Sequence, residues 1–333
     1  MKERKGDSLH PMLISAAEII GGLLLLFWGA DRLVIGAAAT ARNLGVSPVL
    51  VGLVIVGFAT SAPEMLISAL ASLEEAPALA IGNALGSNIA NLGLVLGTAV
   101  VICPLAVHSQ TLRREFPAVV AVTILATVLF LDYDLSRFDA WVLLGALCVM
   151  TAWIIAVGSR SSVFDPIRPD YADEFPTDMR SRTAAIWLTL GLVTVLVGAE
   201  LMVSGATDVA LFMGVSELVL GVTIVAVGTS LPELAVAIAG AAKGESDLVL
   251  GNVLGSNIFN LLAVIGIAGA IRPLELDPDV VTLHLPVMGV MTLAVFLLAY
   301  NSAMRVQLTR PVGVILLLTF LAYQGFVIVD TVM

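Results

Sequence analysis

The chain has 333 residues, of which 59% are apolar and only 13% charged; an average soluble domain carries roughly 25% charged residues. That composition excludes a water-soluble enzyme, because a soluble chain of this length needs far more polar surface. The net charge of −10 argues against nucleic acid as a partner, and the two cysteines, Cys103 and Cys148, form neither a disulfide framework nor a metal-ligand spacing.

At ~20 residues per membrane helix, ten helices use about two thirds of the chain, and ten apolar segments are what the sequence shows. The basic tail Met1–His10 leads into an apolar run too long for a signal peptide, with no small-residue cleavage site after it. The predicted segments run roughly 12–41, 46–72, 77–102, 115–131, 138–158, 184–211, 215–241, 247–271, 280–300 and 311–331. A polar stretch from Gly158 to Arg182 separates them into two sets of five. The expected organisation is therefore a first five-helix repeat over 1–158, a cytoplasmic loop over 159–183 and a second five-helix repeat over 184–333. With that loop cytoplasmic, its side of the membrane holds ten Lys/Arg and the opposite side five. Positive charge accumulates on the cytoplasmic side, which places both termini outside a plasma or inner membrane, although the basic N-terminal tail opposes this orientation.

An internal repeat sets the architecture. Adding 169 to each position from Gly29 to Gly97 gives an ungapped partner from Gly198 to Gly266, and 28 of the 69 pairs are identical. Thr60-Ser61-Ala62-Pro63-Glu64 faces Thr229-Ser230-Leu231-Pro232-Glu233, and the run Gly82 to Asn91 faces Gly251 to Asn260. Five is an odd number of crossings, so the second copy enters from the opposite side. The fold class is an all-α polytopic membrane protein, ten transmembrane helices arranged as two inverted repeats. In transporters of that kind the binding site lies at the repeat interface near the midplane.

Pro63 and Pro232 each remove a backbone donor and crowd the carbonyl four residues earlier, of Ala59 and Gly228, which bends or breaks the helix. Carbonyls freed at such a break can face a cation where they line a cavity. A carboxylate at that depth costs at least ~2.5–3.5 kcal/mol, and Glu64 and Glu233, related by the repeat, also repel each other. A bound cation relieves both penalties. Two carboxylates, hydroxyls and carbonyls form an all-oxygen set that suits hard cations such as Ca²⁺ and Na⁺. Ser87 and Asn91 lie four apart, as do Ser256 and Asn260, so each pair shares one helix face. Gly82, Gly86, Gly251 and Gly255 permit close helix packing. Asp31 and Glu200 are also repeat partners; they either assist an ion path or make packing contacts. Arg32 can pair with Asp31. Glu18 faces Trp187 under the repeat and receives no role, and His10, His108 and His284 read as surface groups.

These motifs resemble the paired alpha-repeats of the calcium/cation antiporter superfamily, in its prokaryotic sodium/calcium exchanger-like branch; here they span 57–97 and 226–266. The resemblance implies that segments two, three, seven and eight enclose four ion sites. Glu64 and Glu233 would be shared Ca²⁺ ligands, joined by Thr60 and Thr229. Ser61, Ser87, Ser230 and Ser256 would complete Na⁺ sites, Asn91 and Asn260 would border the central one, and the carbonyls of Gly57 and Ala226 would contribute. Segments one and six would slide across the core. Two departures stand out. Gly57-Phe58-Ala59 inverts the family's usual alanine-x-glycine, which Ala226-Val227-Gly228 keeps, and Asn260 replaces an aspartate found in several relatives, including potassium-dependent exchangers.

The expected function is secondary Ca²⁺/Na⁺ antiport by alternating access, without a resident cofactor and without an inferred protein partner. A Ca²⁺/H⁺ antiporter using the same glutamates is the close alternative. An intramembrane hydrolase with Ser61 or Ser230 as nucleophile is a remote one, since no His or Lys lies in these motifs to act as base.

Overall fold

The structure is a computed structural model that describes residues 9–46, 48–73, 77–107, 114–158, 179–212, 226–300 and 307–332. Most of the loop expected over 159–183 lies outside the described residues.

The helices are α1 (Leu9–Leu44), α2 (Val51–Thr60), α3 (Ala62–Leu73), α4 (Pro77–Ile102), α5 (Phe116–Leu129), α6 (Arg137–Gly158), α7 (Ser181–Phe212), α8 (Ala226–Thr229), α9 (Leu231–Ala242), α10 (Ser246–Ile271), α11 (Val280–Ala299) and α12 (Arg310–Val332). The pair α2–α3 corresponds to one predicted segment divided at Ser61, and α8–α9 to the described part of another divided at Ser230, its residues 215–225 lying outside the described residues. The prolines explain the division: Pro63 and Pro232 sit at the start of the second piece, where a missing N–H is harmless. Ser61 (φ −82°, ψ 1°) and Ser230 (φ −87°, ψ 3°) adopt nearly the same break conformation, and α2 and α3 meet at a 41° bend.

Two short antiparallel strand pairs fix the ladder of crossings. Strand β1 (Leu105–Ala106), after α4, pairs with β4 (Gln307–Leu308), before α12; β2 (Asp134–Leu135) pairs with β3 (Leu274–Glu275). Counting segments, the first pair joins loops three and nine, and the second joins loops four and eight. Ten alternating crossings require this parity, because odd loops share one face and even loops the other. Two further contacts obey it: Asn43 Nδ2 donates to the Met179 carbonyl at 3.0 Å, and the Ala106 N–H donates to Ser246 Oγ at 3.2 Å.

Burial separates core from periphery. Every residue from Leu248 to Ile265 on α10 is buried, and most of α4 is buried with it. By contrast α1, α7 and α12 carry outward-facing Leu24, Phe27, Leu190, Val193, Leu318 and Leu321, as expected where the surrounding solvent is lipid. Helices α1 and α7 pack antiparallel and almost backbone to backbone: a Cβ added to Gly22 would come within 2.6 Å of the Gly198 carbonyl oxygen. Small residues at such a contact let dispersion act over a long seam.

Candidate functional site

Helix α2 crosses α10 at the same intimacy. A Cβ on Gly57 would stand 3.1 Å from the Ser256 backbone nitrogen, and one on Gly52 would stand 2.7 Å from the Leu248 carbonyl. This closeness brings the polar end of α2 against the polar face of α10. The threonine and serine of one repeat thus meet the serine and asparagine of the other.

The central contacts run both within and between the repeats. Glu233 Oε1 accepts from Ser256 Oγ at 3.2 Å and from Ser61 Oγ at 3.5 Å. Thr60 Oγ1 lies 3.4 Å from Ser256 Oγ, 3.4 Å from the Gly57 carbonyl and 3.3 Å from Asn252 Oδ1. Ser256 Oγ also reaches the Gly57 carbonyl at 3.4 Å. The carbonyl that faces this cluster is therefore Gly57's, two residues before the Ala59 carbonyl singled out by the proline spacing. In the opposite half, Thr229 Oγ1 donates to Asn83 Oδ1 at 3.4 Å. Around Ser230 the turn is tighter: its N–H bonds to the Val227 carbonyl at 3.1 Å, whereas the Ser61 N–H bonds to that of Gly57 at 3.1 Å. Ala226 begins α8.

The second motif also arrives at this centre. Asn91 and Asn260 each open a π-helical turn at repeat-related positions, Asn91–Val95 and Asn260–Val264, a local widening frequent at functional sites. Asn91 Nδ2 donates to Asn257 Oδ1 at 3.1 Å, and Asn88 Nδ2 to the Asn257 carbonyl at 3.3 Å. The repeat partners of the first bond, Asn260 Nδ2 and Asn88 Oδ1, have no hydrogen-bond partner among the described residues. Nor do Glu64 Oε2, Glu233 Oε2, Ser87 Oγ, Ser230 Oγ and the amide oxygens of Asn91 and Asn260. Thr60, Ser61, Glu64, Ser87, Asn91, Thr229, Ser230, Glu233, Ser256 and Asn260 are all buried. Such oxygens, deep in a low-dielectric interior, supply lone pairs in the one chemistry a hard cation requires. Among the described residues no group of three or more His, Cys, Asp or Glu is placed to hold a metal ion, so the oxygen set is two carboxylates supplemented by neutral donors.

Two contributors were not read from the sequence as site residues, Asn83 and Asn252. They are repeat partners four residues before Ser87 and Ser256, on the same helix face; that spacing was the available signal. The peripheral acids resolve otherwise. Asp31 Oδ1 makes an ion pair with Lys243 Nζ at 2.7 Å, Glu200 is exposed on α7, and neither joins the cluster. Arg32 stacks between Trp28 and Trp187 at 5.7 and 4.7 Å and lies 3.8 Å from Asp31. His284 is tied to Tyr323 at 2.9 Å rather than free at the surface, and both cysteines are unpaired.

Two inverted five-helix repeats closing on a buried oxygen cluster define a membrane transporter of the secondary type. The sodium/calcium exchanger protein family model matches residues 14–156 and 183–329, and the chain belongs to that family. It is 41% identical over 313 residues to the putative antiporter CaxA of Alkalimonas amylolytica, covering 94% of this chain and 98% of that one. It is 38% identical over 307 residues to the inner membrane protein YrbG of Escherichia coli, covering 92% and 94%. A solved structure of the sodium-calcium exchanger NCX_Mj, soaked with Na⁺ and Sr²⁺, superposes with a TM-score of 0.82 at 33% identity, covering 93% of this chain and 97% of that one. Membership makes the chain a multi-pass membrane transporter and sets aside the hydrolase.

Proposed function

We propose that the protein exchanges Ca²⁺ for Na⁺ across the membrane by alternating access, with Glu64 and Glu233 as the shared ion ligands. The observation that carries this reading is the pair of buried carboxylates, one from each repeat, with Glu233 accepting from Ser61 across the repeat interface and from Ser256 of its own repeat. Thr60, Thr229 and the carbonyls of Gly57 and Ala226 supply neutral oxygens beside them, Ser61, Ser87, Ser230 and Ser256 complete monovalent sites, and Asn91 and Asn260 border the centre. The names of the similar proteins, an antiporter and a sodium-calcium exchanger, agree with the chemistry of this oxygen set.

Charge counting gives the coupling its logic. Two carboxylates balance one Ca²⁺ or two monovalent ions, so the two cargoes compete for one charge-compensated centre. A third Na⁺ would make each turnover electrogenic, worth ~2.3 kcal/mol per charge per 100 mV. In this reading both termini lie on the outer side of the cell or inner membrane, which the ten-to-five distribution of Lys/Arg supports.

The test is ⁴⁵Ca uptake into proteoliposomes by Glu64→Gln and Glu233→Gln. Neutral amides cannot together balance a divalent ion in a low-dielectric site, so each substitution should abolish uptake while the protein remains monodisperse. Wild-type rates in either variant would remove that glutamate from the ligand set.

A further inference from the structure

A hydroxyl that ligates a cation must turn its proton away from the ion, and something must accept that proton. In the interior of a membrane protein the acceptor cannot be bulk water. At Thr60 three acceptors compete: Ser256 Oγ at 3.4 Å, the Gly57 carbonyl at 3.4 Å and Asn252 Oδ1 at 3.3 Å. Two of these belong to the proposed ligand set, and an oxygen that accepts the threonine proton has fewer lone pairs for the ion. Asn252 is the one acceptor outside that set.

The same geometry recurs in the other repeat, where Thr229 Oγ1 donates to Asn83 Oδ1 at 3.4 Å. In both places the amide oxygen faces the hydroxyl, and in both the Nδ2 group is buried without a hydrogen-bond partner among the described residues. An amide turned the other way would donate to the threonine and consume the lone pair that the ion needs. The bonds also cross the interface, since Thr60 and Asn252 come from different repeats, as do Thr229 and Asn83.

We infer that Asn252 and Asn83 are positioning residues that take the hydroxyl protons of Thr60 and Thr229 when a cation binds, so that each threonine oxygen presents its lone pairs to the ion. Neither asparagine touches the cargo; each acts through its threonine. The inference rests on the proposed ligand role of the threonines.

The experiment is a double-mutant cycle read in the half-saturating Ca²⁺ concentration of ⁴⁵Ca uptake, using Thr60→Val, Asn252→Leu and the two combined. One hydrogen-bonded ligand oxygen predicts that each single change weakens apparent Ca²⁺ affinity by about three- to tenfold. Because Asn252 acts only through the Thr60 hydroxyl, the combined variant should be no more than about twofold worse than Thr60→Val alone. A combined loss equal to the product of the two single losses would mark Asn252 as a structural residue and overturn the inference. No loss in Thr60→Val would instead refute the threonine as a ligand, and the inference falls with it. The Thr229→Val and Asn83→Leu cycle runs the same test in the second repeat and decides the question if Asn252→Leu fails to fold.

Discussion

Glu233 accepts hydroxyls from both halves of the chain, from Ser61 and from Ser256, and this one side chain shows why the motifs had to be duplicated. A carboxylate buried alone at this depth is costly; one that accepts hydroxyls from both repeats is held in place. Asn260, by contrast, has neither amide atom bonded among the described residues. In the proposed site it would offer an oxygen but no formal charge, which would leave Glu64 and Glu233 to balance the cargo. Transport should therefore proceed with K⁺ replaced by choline on both sides. Asn260→Asp, adding a third carboxylate beside two others, should lower activity near neutral pH or make it sensitive to K⁺ or protons. Flux that collapses in choline and returns with K⁺ would show that Asn260 does not set ion dependence. Glu64, Ser61 and their repeat partners were legible because an ionisable or hydroxylic residue inside an apolar run stands out. Asn83 and Asn252 were not singled out, since an asparagine among glycines reads equally well as packing until the opposing threonine is seen.

Elements were legible where composition alone decides them. Among the described residues each of the ten predicted segments contains helix, and the breaks at Ser61 and Ser230 lie just before Pro63 and Pro232. The relative burial of the helices was not legible, because an apolar residue facing lipid and one facing protein look alike in sequence. Glycine contacts make the difference testable. Gly255 on α10 packs directly against the Leu53 carbonyl of α2, whereas a Cβ on Gly21 of α1 would meet nothing within 4 Å. Gly255→Val should destabilise the protein by at least ~1–3 kcal/mol through overpacking, seen as a lowered melting temperature in detergent. Gly21→Ala should leave it unchanged or slightly raised; equal effects would refute the asymmetry. At the turn between α9 and α10, burial pushes the Glu245 carboxyl above the ordinary carboxylate range; Asp247 adds to this and Arg42 opposes it. A raised carboxyl pKa gives stability that is present below the unfolded value and lost as pH rises through the folded one. Glu245→Gln should thus raise the melting temperature at pH 7 to 8, with the gain disappearing below pH 4; a gain that persists there would point to another cause.

For the whole molecule, the two strand pairs join only loops of like parity, which is what ten alternating crossings of inverted repeats demand. The repeat at offset 169 made that architecture readable before any contact was known, whereas the side on which each rim faces rests on charge counting. In a background lacking Cys103 and Cys148, Ser136→Cys should therefore react with an impermeant thiol reagent from outside intact cells and Ser161→Cys should not; the reverse pattern would invert the assigned orientation. If one oxygen cluster serves Ca²⁺ and Na⁺ in turn, ⁴⁵Ca uptake by proteoliposomes loaded with Na⁺ and diluted into choline, compared with liposomes given only a pH gradient, reveals it. Uptake driven by the outward Na⁺ gradient, absent without it and absent in Glu233→Gln, is the predicted result. Uptake driven by the pH gradient alone and indifferent to Na⁺ would contradict it and make protons the coupling ion.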